Sequence, residues 1–281
     1  MIDLHAHTTC SDGTDTPLAL VKKAAASGIT VLGVTDHDST SGWTEATSAL
    51  HGNLQLALGA EVSCLTTDGI SVHMLGLLFD GENQALQQLL SDSRDTRIPR
   101  MKKMIENLQA AGYEISLEDV QAATPDGATV GRPHLADALV AKKIVKSRDE
   151  AFTDLLHNNS PFYVSHFAPT PEDAIKAIRV AGGVAVIAHP FASRRGQTLD
   201  ANAFAPLVAA GLNGIEVFHR DQSADERLQL LAVASELGLV VTGSSDYHGT
   251  GKLNQLGENT TAAAEWERLE SMADHRRVVS R

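Results

Sequence analysis

Over the first 80 residues, short apolar runs alternate with stretches of helical length. Ile2 to His5, Ile29 to Thr35 and Leu54 to Glu61 are bounded, largely apolar segments that predict strands. Between them, Pro17 to Ser27 and Thr44 to Leu50 predict helices. Thr16-Pro17 supplies a cap with proline in the first turn, and Ser27-Gly28 supplies a glycine stop. Such alternation predicts parallel strands joined by crossover helices. Ile70 to Leu78 alternates loosely as a further strand, with His73 near its start.

The pattern changes at Gly81. Polar-apolar periodicity of helical type runs from Gln84 to Ala111, where Gly112 stops it, and shorter helical stretches lie near Leu117, His134 and Glu150. Strand signals nearly vanish there. Alternation then returns with a Pro171 to Ala181 helix, a Val184 to Ala188 strand, an Ala201 to Ala210 helix, an Ile215 to Phe218 strand, an Ala224 to Leu237 helix and a Leu239 to Thr242 strand. The chain therefore reads as an α/β barrel in two parts, 1–80 and 166–281, interrupted by a helical insertion over 81–165. The basic cluster from Arg94 to Lys103 is expected to be a solvated helix face.

Composition narrows the classes. No apolar run approaches the roughly 20 residues that span a bilayer, and Met1-Ile2-Asp3-Leu4-His5 lacks the basic start and apolar stretch of a secretory signal. A cytoplasmic protein is the expectation. Cys10 and Cys64 are the only cysteines, which fits a reducing compartment and no structural disulfide. The formal charge is −12, from 23 basic and 35 acidic residues, which argues against a long footprint on duplex nucleic acid and leaves small anionic substrates open. The segment Gly81 to Ser165 carries 10 basic and 12 acidic residues, so −10 of the charge falls on the predicted barrel.

Candidate chemistry concentrates at predicted strand ends. In His5-Ala6-His7, alternate residues share one side of a strand, so both imidazoles can face one ion. Asp12 sits in a Ser-Asp-Gly turn, as a ligand or as the turn's own hydrogen-bonding residue. Thr35-Asp36-His37-Asp38 closes the second strand and Glu61 the third. Later, Ala188-His189-Pro190, Glu216 to His219 and Ser245-Asp246-Tyr247-His248 repeat the placement. The C-terminal strand ends of a parallel barrel form its active face, so these positions converge in space. His51, His157, His166 and His275 lack a carboxylate at a strand end and read as ordinary residues.

The converging set is His5, His7, Asp12, His37, Glu61, His73, His189, Asp246 and His248. Without cations its carboxylates would repel one another. It is too large for one tetrahedral ion, and Glu61 could bridge two, so two or three divalent metals are implied. Imidazole with carboxylate suits zinc, manganese or iron. Cys64, near Glu61, is left outside the set.

These motifs, in this order and spacing over nearly the whole chain, resemble the PHP (polymerase and histidinol phosphatase) phosphoesterases. Gly131-Arg132-Pro133-His134 and Gly214-Ile215-Glu216-Val217 resemble the bacterial subgroup of 3′,5′-nucleotide bisphosphate phosphatases, also described as RNase AM, a 5′-to-3′ exonuclease on short RNA. The resemblance implies a distorted (β/α)7 barrel with an inserted small helical domain and a trinuclear manganese site, with zinc or iron as alternatives. It implies one ion held by His5, His7, Glu61 and Asp246, a second by Glu61, His73 and His189, and a third by Asp12, His37 and His248.

A metal-bound hydroxide would attack phosphorus in line while metal charge stabilises the developing oxyanion. Arg132 and His134 are expected to contact phosphate, because an arginine fork matches phosphate oxygens, although Arg132-Pro133 could simply start a helix. Arg194 and Arg195, after His189-Pro190, could overhang the metal face. His219 could assist binding or proton transfer, or be a packed residue, and Phe191 is the candidate for base stacking.

The expected reaction is removal of the 3′-phosphate from a 3′,5′-bisphosphonucleoside, with 5′-to-3′ trimming of short single-stranded oligonucleotides. Histidinol phosphate or another phosphomonoester is the alternative substrate, and a non-catalytic metal-binding module the alternative role. C–N hydrolysis is disfavoured because no lysine falls at a predicted strand end.

Overall fold

Several helix starts in this chain are written as caps. Thr16, Thr170 and Ser223 each accept the backbone N–H three residues on, and in the first two cases proline follows at once. The computed structural model describes residues 1–157, 160–164, 168–275 and 278–281, with the backbone alone of Arg195. His166 lies outside the described residues.

The chain opens with β1 (Ile2–Asp3), α1 (Pro17–Ala26), β2 (Val31–Val34), α2 (Trp43–Ser48), β3 (Gln55–Leu65) and β4 (Ser71–Leu77). The helices α3 (Gln84–Asp95), α4 (Arg97–Ala110), α5 (Leu117–Ala122), α6 (Arg132–Ala141) and α7 (Arg148–Asp154) follow. Then come α8 (Pro171–Val180), β5 (Val184–Ala188), α9 (Phe204–Ala210), β6 (Gly214–Phe218), α10 (Ala224–Leu237), β7 (Val240–Gly243), α11 (Ala263–Ser271) and β8 (Val278–Val279).

Strands β1 to β7 lie in sequence order across one sheet, with β8 added against β3. Beyond the ends of β1 and β7, Ala6 bridges Tyr247, and the His7 N–H donates to the Tyr247 carbonyl at 2.8 Å. That contact draws the two edges together and nearly closes an α/β barrel.

Two local expectations are corrected. Strand β4 is antiparallel to both β3 and β5, whereas the other neighbouring pairs in the β1 to β7 path are parallel. The β3–β4 connection is a tight turn in which the Thr66 N–H donates to the Ile70 carbonyl at 2.9 Å, too short for the crossover that parallel pairing needs. His73, near the start of β4, consequently reaches the same barrel end as the finish of β3, and pairs with Ser63 and Ala188.

The single helical period from Gln84 to Ala111 is split at Thr96. Pro99 cannot donate within a continuous helix and is tolerated in the first turn of α4. The Thr96 hydroxyl bonds back to the Ser93 carbonyl at 2.9 Å.

The barrel strands share apolar cores with α3 and with α8 to α11, whereas α4 to α7 bury a set of their own. Leu75, Leu77, Val184, Val186 and Val240 pack with Trp266 and Leu269 of α11. Met104, Leu108, Leu135, Leu139 and Leu156 form a core among α4 to α7. No helix among the described residues is long and apolar enough to cross a membrane.

Candidate metal centre

Several strands end in abrupt turns that aim side chains into one basin. Asp38, His189 and Asp246 all have positive φ, of 51°, 32° and 52°, a conformation that non-glycine residues adopt only when their surroundings impose it. Gly13, beside Asp12, is needed for close approach: a Cβ there would sit 2.6 Å from the His7 carbonyl oxygen. The loop after β1 can therefore fold back over the strand end.

Glu61 lies at the middle of the basin, almost fully buried. Its Oε2 is 3.2 Å from His5 Nε2, 3.1 Å from His7 Nε2 and 3.2 Å from His37 Nδ1. Its Oε1 is 2.8 Å from His73 Nδ1 and 3.2 Å from His189 Nε2. Asp246 Oδ1 faces His5, His7 and His248 at 3.4, 3.3 and 3.4 Å. Asp12 meets His248 Nε2 at 3.2 Å and His37 Nε2 at 3.7 Å.

All nine residues of the predicted set thus come together. Donor atoms close enough to share an ion group as His5, His7, Glu61 and Asp246; as His7, Asp12, His37 and His248; as His37, Glu61 and His73; and as His5, His189 and Glu216.

The donors fit divalent cations. Asp12 Oδ1, His37 Nδ1, His73 Nδ1 and His248 Nε2 are buried and make no hydrogen bond, and His5 Nε2 points at His7 Nε2 from 3.0 Å. Buried lone pairs left in this state are costly, and a cation among them satisfies several at once.

Without a cation, burial works against charge on His5 and His7, but carboxylates prevail. Glu61, Glu216 and Asp246 raise His5 well above its ordinary value, and Asp246 and Glu61 raise His7 to about 9. Burial penalises the Glu61 carboxylate, yet His73, His37 and His5 hold it well below the usual range. For His37 burial wins and the ring falls well below its ordinary value. Burial, with Lys252 and His7, takes His248 down to about 4. His37 and His248 are therefore neutral imidazoles at pH 7, the form that binds metal.

Sequence reasoning left Glu216 and Lys252 outside the site. Glu216, fully buried on β6, faces His5 Nδ1 at 3.1 Å and accepts the His189 N–H at 2.9 Å. A carboxylate on the far ring nitrogen fixes the His5 ring with Nε2 toward the centre. Its place at a strand end was the available signal. Lys252 Nζ reaches Asp246 Oδ2 at 3.0 Å from an irregular loop that carries no periodic signal.

The expected substrate contacts separate. Arg132 borders a cavity with Ser71, His73, His189, Gln197 and Thr198. Its guanidinium lies over the Phe152 and Tyr163 rings and donates to the Leu156 carbonyl at 2.8 Å. His134 is buried, and its Nδ1 accepts the Gly131 N–H at 3.0 Å, closing the turn before α6. His219 is buried with Nδ1 accepting the Asp221 N–H at 3.1 Å, which puts its proton on Nε2, 3.4 Å from Asp246 Oδ2. Arg194 is exposed on a 3₁₀ turn, and the Arg195 side chain lies outside the described residues.

Phe191 is corrected: it packs in the core against Phe204, ring centres 5.9 Å apart, and presents no face for stacking. The basic cluster is corrected in part. Lys102 and Lys103 are exposed, but Arg97 is buried against Asp38.

The chain matches the PHP domain family over residues 3–127. It is 35% identical over 252 residues to the 3′,5′-nucleoside bisphosphate phosphatase of Chromobacterium violaceum, covering 89% of this chain and 88% of that protein. It is 33% identical to a 5′-3′ exoribonuclease of Haemophilus influenzae, covering 92% and 93%. A crystal structure from Bifidobacterium adolescentis, assigned as a metal-dependent phosphoesterase, superposes with a TM-score of 0.92 at 38% identity, covering 96% of each chain. With its clustered histidines and carboxylates fit for metal ions, the chain belongs to the PHP-domain family of metal-dependent phosphoesterases.

Proposed function

We propose that this chain is a cytoplasmic enzyme that removes the 3′-phosphate of 3′,5′-bisphosphonucleosides, converting adenosine 3′,5′-bisphosphate to AMP and phosphate, and trims short single-stranded oligonucleotides from the 5′ end. The observation that carries the reading is the shared carboxylate of Glu61, whose two oxygens face separate histidine sets beside a cavity bordered by Arg132. The bisphosphate phosphatase and exoribonuclease relatives support the substrate class.

Two or three divalent ions, manganese by preference, would sit among His5, His7, Glu61 and Asp246, among Glu61, His73 and His189, and among Asp12, His37 and His248. Bound there, they would supply Lewis-acid charge and an activated water. The chain's own groups do the rest. Glu216 keeps His5 in the tautomer that presents Nε2. Lys252 and the Nε2 proton of His219 hold Asp246 Oδ2, leaving Oδ1 toward the centre. Arg132, held by its aromatic neighbours, offers a planar fork to a phosphate entering the cavity.

Phosphate release by manganese-loaded protein from adenosine 3′,5′-bisphosphate, AMP and histidinol phosphate tests this. The bisphosphate should be preferred, with activity lost in Asp246→Asn and KM raised about tenfold in Arg132→Ala. Hydrolysis of histidinol phosphate alone would retain the metal chemistry and refute the nucleotide assignment.

A further inference from the structure

We infer that Arg97, on α4, is a positioning residue for the phosphoester hydrolysis: its guanidinium fixes the turn that carries His37 and the turn that leads to Arg132 in one register. The inference rests on the reading of Arg132 as a substrate contact.

Arg97 comes from the helical segment, yet its head group is buried at the barrel rim. Nη2 donates to the Asp38 carboxylate and to Ser63 Oγ, the latter at 2.8 Å. Nε donates to Asp38 Oδ2 at 3.2 Å, and Nη1 to the Val130 carbonyl at 3.3 Å. Each acceptor adjoins a residue of the site. Asp38 follows His37, Ser63 stands two residues beyond Glu61 on β3, and Val130 stands two residues before Arg132.

Asp38 has no exposed surface and a left-handed backbone, so its conformation must be imposed. Its N–H donates to the Glu61 carbonyl at 3.0 Å, and its Oδ1 accepts the Ser63 N–H at 2.8 Å. Oδ2 is left for Arg97, which therefore completes the set of bonds that hold the His37–Asp38 turn over β3. Arg94 adds a bond to the Asp38 carbonyl.

The second turn is held from both sides. Thr129 N–H donates to the Cys10 carbonyl at 3.1 Å, tying it to the loop that carries Asp12, and Arg97 holds the next residue. A displacement of the guanidinium would thus shift His37 and Arg132 together. Arginine is required because a planar fork can serve three diverging acceptors, which a lysine ammonium on one stem cannot do in the same geometry.

The test is a double-mutant cycle in the manganese-loaded full chain, read with adenosine 3′,5′-bisphosphate and normalised to folded protein by circular dichroism. Arg97→Lys should lower kcat about tenfold and raise KM about fivefold, since small misplacements of site groups are expensive. Arg132→Ala should raise KM, and Arg97→Lys combined with Arg132→Ala should raise it no further, because both act through one turn. If Arg97→Lys fails to fold, Ser63→Ala, which removes one of the three acceptors, should change kcat and KM in the same directions by about twofold.

Wild-type kcat and KM in folded Arg97→Lys, or KM effects that multiply in the double variant, would overturn the inference while Arg132→Ala still showed its own defect. A wild-type KM in Arg132→Ala would instead remove the substrate reading of Arg132, and the coupling with it.

Discussion

Glu61 is the residue on which the site turns. Five imidazoles lie within 3.2 Å of its two oxygens, a density that only bound cations or protons can balance. In the metal-free protein the balance is partly protonic. His7, raised from near 6.5 to about 9, contributes stability that is fully present below about 6.5 and is lost as pH rises through about 9. A metal at His7 Nε2 must displace that proton, so affinity should rise with pH up to about 9. Calorimetry of manganese uptake at pH 7, in two buffers of different ionisation enthalpy, should show net release of at least one proton per chain, since His5 is raised as well as His7, and the release should shrink as pH rises. Buffer-independent heats at pH 7 would contradict the assignment. The clustering of the nine side chains was legible because histidines and carboxylates near strand ends form short motifs. Arg97 was not, since a basic helix reads as solvated until it is known which face the barrel covers.

At the scale of elements, the parallel strands before β4 and after β5 followed from alternation, while the reversal of β4 depends on a turn whose shortness decides the pairing. Thr96 and Pro99 show the same limit, because a long helical period hides a break that local hydrogen bonding imposes. Strands β1 and β2 carry a constraint that bears on the site. A Cβ at Gly33 would lie 2.0 Å from the Leu4 carbonyl oxygen, immediately before His5. Gly33→Ala should therefore separate the two backbones and cost about 2 kcal/mol or more in urea unfolding. An unchanged urea midpoint would show that the strands do not approach as described.

For the molecule as a whole, a net charge of −12 and a rim crowded with carboxylates favour cations over a nucleic-acid duplex as the natural counter-charge. Helices α4 to α7 enclose an apolar core of their own and present Arg132 and Arg97 to the barrel rim. That relation was beyond sequence patterning, because helical periodicity shows that a face is buried without showing against what. The most direct test of the central claim is the metal content and phosphatase activity of chelator-washed, manganese-reloaded protein beside its Glu61→Gln variant. The wild-type chain should hold two or three ions, and the variant should lose more than one of them and fall in kcat by more than about 100-fold. A Glu61→Gln protein that keeps the full metal complement and its activity would contradict it.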